Sequence, residues 1–286
     1  MPPVALITGG ASGMGLAVAQ ALGKRGNWHI HLLDLNTDAG AKAESSIGKN
    51  AHFHKVDCTN YDSLAQTFDK IFKAEGQLDF VFANAGIVER RSFYDTADEQ
   101  DPPPAPFTLT LDVNLTSVVW QTYLANHYMK KNPKGVDSII VQTASCGGLY
   151  PSPFSPVYSA SKFGVVGLMR SIAKYYFLHD GIRVNCICPG TVRTNLLDAQ
   201  GWANFPEEYF TPVEKIVESV LMLVDGKDMT DAYGTKVEAG KGYGLAVEVN
   251  GKNHYFRKQH DYCDKQMESV MVATDVERQI GGALKS

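Results

Sequence analysis

The sequence predicts an α/β fold, a doubly wound parallel sheet of about seven strands flanked by helices, on three observations. Apolar runs of strand length alternate with helical patterns along the chain, which implies a parallel sheet with helices on both faces. A glycine-rich turn stands between the first run and the first helical pattern. Polar residues gather at the carboxyl ends of the runs, where open sheets of this kind hold their ligands.

In order, the runs are Val4–Ile7, His29–Leu33, His52–Val56, Leu78–Ala83, Ser138–Thr143 and Ile182–Ile187, with a seventh strand near Gly244–Val249. Helical patterns between them predict helices over 13–25, 38–47, 61–75, 106–131, 156–179 and 212–224. The proline-rich stretch Asp101–Pro106 reads as a stiff loop entering the fourth helix. No internal repeat or low-complexity linker divides the chain, so residues 1–286 are expected to form one domain. The tail, 251–286, is polar and expected to wrap the surface or fray, with Tyr255, Phe256 and Tyr262 arguing that part of it docks.

Composition excludes several classes. A length of 286 residues fits one α/β domain, and 44% hydrophobic with 20% charged residues is ordinary for a globular enzyme. A net charge of −4 without any basic block argues against nucleic acid as a partner. No run approaches membrane-spanning length, and the first strand begins at Val4, leaving no room for a signal peptide; a cytoplasmic location is expected. The five cysteines are dispersed and odd in number, which argues against a disulfide framework. Cys186-x-Cys188 has half the spacing of a metal site, but it lies in an apolar strand where cysteine packs as a small hydrophobe, and no metal is expected.

The turn reads Thr8-Gly9-Gly10-Ala11-Ser12-Gly13-Met14-Gly15, between a strand and a helix. Glycines there allow a tight turn and close approach of backbone to a pyrophosphate, and the helix N-terminus adds free N–H groups with partial positive charge. The spacing differs from Gly-x-Gly-x-x-Gly, so an ordinary glycine loop is the alternative. Asp34 weighs against that alternative. It ends the second apolar run nineteen residues after Gly15, where an acid binds the ribose hydroxyls of a Rossmann-type dinucleotide site.

Tyr158 and Lys162 stand four residues apart, on one face of the helix that carries them. A free phenol has a pKa of about 10, too high for proton transfer at neutral pH, and a nearby ammonium favours its phenolate. The pair is therefore a candidate general acid or base, with Ser145 thirteen residues upstream as a hydroxyl to hold a substrate oxygen. Ser145 also reads as a plain strand-end hydroxyl, and Ser159 and Ser161 as small packing residues.

Together these residues give the chain a resemblance to the short-chain dehydrogenase/reductase family, running from about Val4 to Thr194. Thr8–Gly15 is similar to its cofactor turn, Asp57 to its adenine-contacting acid, and Asn84-Ala85-Gly86 to its Asn-Ala-Gly signature. Asn114, Ser145, Tyr158 and Lys162 match its four catalytic positions in order, and Pro189-Gly190 with Thr194 matches the segment over the nicotinamide. Ala83 departs from the second asparagine many members carry. Beyond Thr194 the chain looks most like the branch containing NAD-dependent 15-hydroxyprostaglandin dehydrogenase.

The resemblance implies an NAD-dependent oxidoreductase acting on secondary alcohols or ketones, with Tyr158 as general acid/base and Asn114 holding a water of a proton relay. It implies cofactor contacts from Gly9, Ser12, Gly13, Met14, Gly15, Asp34, Asp57, Cys58, Asn84, Ala85, Gly86, Tyr158, Lys162, Pro189, Gly190, Val192 and Thr194. Asn114 also fits the role of satisfying local backbone groups, common for a mid-helix asparagine. The aromatic stretch after Thr194 predicts a lid at about 195–212 over a bulky apolar substrate, with Trp202 and Phe205 facing Leu149, Tyr150 and Phe154. Ordinary core packing is the alternative for these aromatics. The resemblance implies a homodimer or homotetramer in which the helices at 106–131 and 156–179 pair across a twofold axis, and the latter carries apolar Phe163, Val166, Leu168, Met169 and Ile172 on more than one face, as such a contact needs. Rival readings are an NADPH-dependent ketone reductase and a catalytically silent dinucleotide-binding protein.

Overall fold

A computed structural model describes residues 1–95, 101–197 and 199–279 and falls into two compact units, Met1–Phe256 and Arg257–Ser286. Strands and helices alternate through the first: β1 (Val4–Thr8), α1 (Gly13–Lys24), β2 (His29–Asp34), α2 (Thr37–Ile47), β3 (Ala51–Lys55), α3 (Tyr61–Glu75) and β4 (Phe80–Ala83). There follow α4 (Leu109–Leu111), a π-helical turn (Asp112–Thr116), α5 (Ser117–Met129), β5 (Ser138–Thr143), α6 (Pro156–Asp180) and β6 (Ile182–Pro189). Then come α7 (Ala199–Trp202), α8 (Val213–Asp225), the short pair β7 (Met229–Thr230) and β8 (Lys236–Val237), β9 (Ala246–Asn250) and β10 (Asn253–Arg257). The second unit carries α9 (Lys265–Ala273), capped by the Asp264 carboxylate on the Met267 amide at 2.7 Å, and α10 (Val276–Gln279).

Local chemistry sets these boundaries. Asn36 and Asn60 cap α2 and α3 by accepting from the Ala39 and Ser63 amides at 3.0 and 2.9 Å. Pro156 opens α6, and Gly181, at φ 68°, lets the chain turn out of its far end. β1, β4, β5 and β6 are buried along their whole length, as parallel strands covered on both faces must be.

The main sheet has eight strands in the order β10-β9-β6-β5-β4-β1-β2-β3. Side chains of β1 alternate between two cores: Val4 and Leu6 join Phe68, Ile71 and Met169 on one face, and Ala5 and Ile7 join Leu22, Ile216 and Val220 on the other. Strand order reverses between β1 and β4, and a crevice opens beyond their carboxyl ends at such a switch point. The glycine turn and Asn84–Gly86 lie there.

Two expectations change. The helix at 106–131 is interrupted, since Asp112–Thr116 winds as a π turn around the inward-facing Asn114. The strand near Gly244–Val249 is β9, but an eighth, β10, follows it in what read as a polar tail. Phe256 is buried there, and its amide donates to Asp231 Oδ2 at 2.9 Å. Asp198 in the 195–212 stretch and residues 280–286 of the tail lie outside the described residues.

Candidate active site

The glycine turn is shaped by contacts no side chain would permit. Gly9 and Gly13 have φ of 63° and 53°. A Cβ on Gly9 would lie 3.1 Å from Ala85 Cα, and one on Gly15 would collide with the Gly9 carbonyl. Ser12, the N-cap of α1, makes no side-chain cap bond, and Gly13, Met14 and Gly15 begin the helix with no acid in its first turn. The positive end of α1 thus faces the crevice without an anion of its own. Asp34 closes the turn from β2: Oδ2 accepts from the Ala11 amide at 3.2 Å and Oδ1 from the Asn36 amide at 3.1 Å. A carboxylate has acceptor capacity left after two such bonds.

Asp57 and Cys58 follow β3. Asp57 Oδ1 accepts from the Thr59 amide and hydroxyl at 2.8 and 2.7 Å, a local turn that fixes the carboxylate at the crevice rim. Burial pushes the Cys58 thiol up to about 11, so it stays protonated and packs as a hydrophobe. After β4, Asn84 donates to the Thr8 carbonyl at 3.1 Å and accepts from Thr143 Oγ1 at 3.2 Å, while the Ala85 amide donates to Thr8 Oγ1 at 3.2 Å. Gly86 lies against Asn114 and Lys162: a Cβ there would stand 3.3 Å from Asn114 Oδ1 and 3.6 Å from Lys162 Nζ.

Tyr158 and Lys162 come from successive turns of α6, and Ser145 from the end of β5. Ser145 Oγ accepts from the Gly147 amide at 3.0 Å, and the Ser145 hydroxyl acts on the Tyr158 phenol in the sense that favours its ionised form. The Cys146–Gly148 turn lies flat on α6, and a Cβ on Gly148 would sit 2.6 Å from the Lys162 carbonyl. Ser159 holds that turn by donating to the Gly147 carbonyl at 2.7 Å. Ser161 accepts from Asn114 Nδ2 at 3.2 Å and donates to the Tyr158 carbonyl at 2.6 Å. Both serines are hydrogen-bonding struts as well as small residues, a correction to their reading as packing alone. Asn114 takes the Ile87 amide at 2.8 Å and gives to the Ile87 carbonyl at 2.9 Å, so its side chain bonds the loop after β4, 27 residues away, and not the backbone of its own helix.

Burial overrides the expected pKa coupling. Lys162 is fully buried and donates to the Thr143 carbonyl at 2.8 Å; desolvation lowers its ammonium to about 8. The Tyr158 phenol is pushed up to about 12, chiefly by burial and partly offset by the Ser145 bond. Lys162 Nζ lies 5.7 Å from the centre of the Tyr158 ring. In the protein alone, burial is the dominant influence on the phenol and outweighs the pull of the nearby cation.

The stretch after β6 crosses the same end of the sheet. Pro189 ends the strand, the Gly190 amide donates to the Val249 carbonyl at 2.8 Å, and Val192 is buried. Thr194 stands 3.4 Å from where a Gly13 Cβ would be, so this segment meets the cofactor turn across the crevice. Trp202 is only 7% exposed and donates to the Thr194 carbonyl at 3.0 Å, with Phe205 and Phe210 rings 6.0 and 5.8 Å away. It anchors the segment, whereas Phe205 is exposed. Across the site Leu149 packs on the core and Phe154 stands 91% exposed. The structure does not bring Phe154 into contact with Trp202 or Phe205 among the contacts seen. Arg193 stacks on Phe210 at 4.5 Å and pairs with Glu207.

Sequence reading missed several residues. Gln121 and Thr143 extend a hydrogen-bonded chain beneath the crevice: Thr8 Oγ1 donates to Gln121 Oε1 at 2.8 Å, and Asn84 links Thr8 to Thr143, donating to the Thr8 carbonyl at 3.1 Å and accepting from Thr143 Oγ1 at 3.2 Å. A glutamine inside the apolar pattern of α5 was the available signal. A separate cavity of about 450 Å³ lies by Trp28, Asp79, Asp137 and Asp225, away from Tyr158. Its acids are engaged: Asp137 with Arg183, Asp225 with Arg25, and Asp79 with the Val4 amide. Among the described residues no cluster is arranged to hold a metal ion, and no helix is long and apolar enough to cross a membrane.

Comparison with known proteins identifies the family of the chain. Residues 3–202 match the family described as short chain dehydrogenase. Over 282 residues the chain is 47% identical to the short-chain dehydrogenase/reductase prx7 of Penicillium rubens, covering 95% of this chain and 99% of that protein. It is 35% identical over 202 residues to the 15-hydroxyprostaglandin dehydrogenase (NAD(+)) of Homo sapiens, covering 68% of this chain and 70% of that protein. The fold matches that of a 3-ketoacyl-(acyl-carrier-protein) reductase from Brucella melitensis, crystallised with NADH, at a TM-score of 0.71 and 23% identity, over 87% of this chain and 97% of that one. The chain belongs to the short-chain dehydrogenase/reductase family, and the resemblance drawn from its motifs is borne out.

Proposed function

We propose that this protein is an NAD-dependent dehydrogenase of bulky, mostly apolar secondary alcohols, with Tyr158 as general acid/base. The observation that carries the reading is the gathering of Tyr158, buried Lys162 with its Nζ 5.7 Å from the Tyr158 ring, and buried Ser145 beside a glycine-lined crevice. The crevice fits a dinucleotide: Gly9, Gly13 and Gly15 leave space and backbone that any Cβ would disturb, and the amides of α1 face it without a competing acid. Asp34 would hold the adenosine ribose hydroxyls, Asp57 and Cys58 would flank the adenine, and Asn84–Gly86, Pro189–Gly190, Val192 and Thr194 would enclose the nicotinamide end. When bound, NAD⁺ supplies the hydride acceptor and a positive ring charge that favours the Tyr158 phenolate.

Tyr158 takes the proton of the substrate hydroxyl as its carbon gives up hydride, and returns it in the reverse direction. Ser145 holds the substrate oxygen against Tyr158, which orients it and stabilises developing charge. Lys162 would hold the nicotinamide ribose when the cofactor is bound. Asn114 braces the loop after β4, and the proton-relay water stays a proposal about its surroundings. For the substrate, the support is the aromatic segment Trp202–Phe210 beyond Thr194 and the engagement of Arg193 by Glu207, which leaves that cation committed. An NADPH-dependent reductase is the less favoured reading, since Asp34 would repel a 2′-phosphate.

The test is NAD⁺ reduction over 2-octanol, 1-phenylethanol, a hydroxysteroid and a hydroxy fatty acid. Turnover of at least one, higher with NAD⁺ than with NADP⁺, is expected; no turnover of any alcohol, with NAD binding intact, would count for the silent dinucleotide-binding reading.

A further inference from the structure

Glu89 lies in the loop after β4, three residues beyond Gly86, and its Oε2 accepts the Tyr158 backbone N–H at 2.8 Å. Tyr158 is the third residue of α6, so its amide is one of the first-turn donors that no carbonyl of the helix can reach. The residue that caps helices in most proteins does not serve it here. Ser155, the N-cap, makes no side-chain cap bond, and its hydroxyl meets Ser152 Oγ at 3.1 Å. A carboxylate in this place forms a charge-assisted bond and complements the positive end of the helix. The same loop is gripped two residues earlier, where Ile87 exchanges both backbone bonds with the Asn114 side chain. Residues 87–89 therefore strap the π turn to the first turn of α6, directly after the Asn84–Gly86 floor.

We infer that Glu89 is a positioning residue for Tyr158. By holding the Tyr158 amide it fixes the first turn of α6, and so the phenol, relative to the loop that forms the nicotinamide end of the crevice. This rests on the reading of Tyr158 as proton carrier. What the geometry requires is reach and an acceptor oxygen, not charge. Glu89→Gln keeps both, Glu89→Asp keeps the charge but is one methylene short, and Glu89→Ala has neither.

The test measures three things in each variant: kcat for NAD⁺ reduction by 2-octanol, NADH affinity by fluorescence, and hydrogen exchange of the Tyr158 amide. Glu89→Gln is expected to stay within about threefold of wild-type kcat, while Glu89→Asp and Glu89→Ala fall by about tenfold or more, the scale of a misplaced reacting group. NADH affinity should hold within about twofold in all three, and amide exchange should quicken only in the Asp and Ala variants. Wild-type kcat in Glu89→Ala overturns the inference, as does a Tm loss with kcat unchanged, the mark of a structural contact. Glu89→Gln as slow as Glu89→Ala overturns it too, because charge would then be the requirement. If Glu89→Ala does not fold, the Asp and Gln pair decides. If wild-type protein leaves 2-octanol untouched, unchanged Tyr158 exchange in Glu89→Asp still overturns the inference and faster exchange supports it. Tyr158→Phe separates the two claims, since turnover in that variant sinks the proton-carrier reading whatever the Glu89 series gives.

Discussion

Burial governs the charge of the two central side chains, and it drives them in opposite senses. The Lys162 ammonium drops to about 8 and the Tyr158 phenol rises to about 12, so burial shifts each towards its neutral form, though an ammonium at about 8 still carries its charge at pH 7. The spacing of Tyr158 and Lys162 was legible in the sequence; this reversal was not, because burial depends on the whole sheet packed around them. Asp34 was legible for the opposite reason: its position at a strand end follows from chain order alone. Its carboxylate, held by the Ala11 and Asn36 amides, would accept ribose hydroxyls and repel a phosphate in their place. NADH is therefore expected to bind at least about tenfold more tightly than NADPH, about 1.4 kcal/mol. Calorimetric titration checks this, and equal affinity for the two would be against it.

At the scale of elements, the edge formed by β2, β3 and α3 carries a titratable cluster. His31 on β2 meets His54 Nε2 on β3 at 3.0 Å and Glu75 Oε1 on α3 at 3.1 Å; His29 also bonds Glu75, and His52 stacks at 5.3 Å. Lys70 and Glu44 act on His54 from α3 and α2. Burial first, then His54, hold His31 down to about 4 against the pull of Glu75, and burial and Lys70 lower His54 as well. A histidine lowered in the fold binds fewer protons than in the unfolded chain, so stability is lost as pH falls from about 6.5 towards 4. Thermal unfolding should show a Tm drop on the order of 5 °C over that range, reduced in His31→Asn. An equal drop in both proteins would place the effect elsewhere. The segment after Thr194 yields a second expectation. Trp202→Ala should lower Tm through its lost burial, and Phe205→Ala should lower kcat/KM for large alcohols by about tenfold relative to small ones. Unchanged kcat/KM for large substrates in both variants would end the lid proposal. Most strands and helices were readable from apolar periodicity, since β1, β4, β5 and β6 are buried throughout. The π turn and β10 were not. One extra residue in a helical turn leaves apolar spacing nearly unchanged, and β10 is held by the bond its Phe256 amide gives to Asp231 and by burial of the Phe256 ring.

Across the whole molecule, α5 and α6 leave Val119, Tyr123, Phe163 and Leu178 exposed although Val166 and Met169 face the core. Of the apolar residues expected to cover more than one face of α6, Phe163 is exposed, while Leu168 and Ile172 pack against the core. A homodimer or homotetramer pairing these helices would cover that surface, and light scattering at micromolar concentration should give at least twice the monomer mass. A monomer would refute it. The fold as a whole turns on a crevice at the β1–β4 switch point with Ser145, Tyr158 and Lys162 at its mouth, and the most direct test of the account is Tyr158→Phe. That change deletes one oxygen and leaves the ring, the Glu89 bond to the backbone and the glycine turn in place. The account predicts turnover reduced by about a thousandfold or more with NADH affinity within about twofold of wild type. Turnover above a few per cent of wild type, measured with the same alcohol, would contradict it.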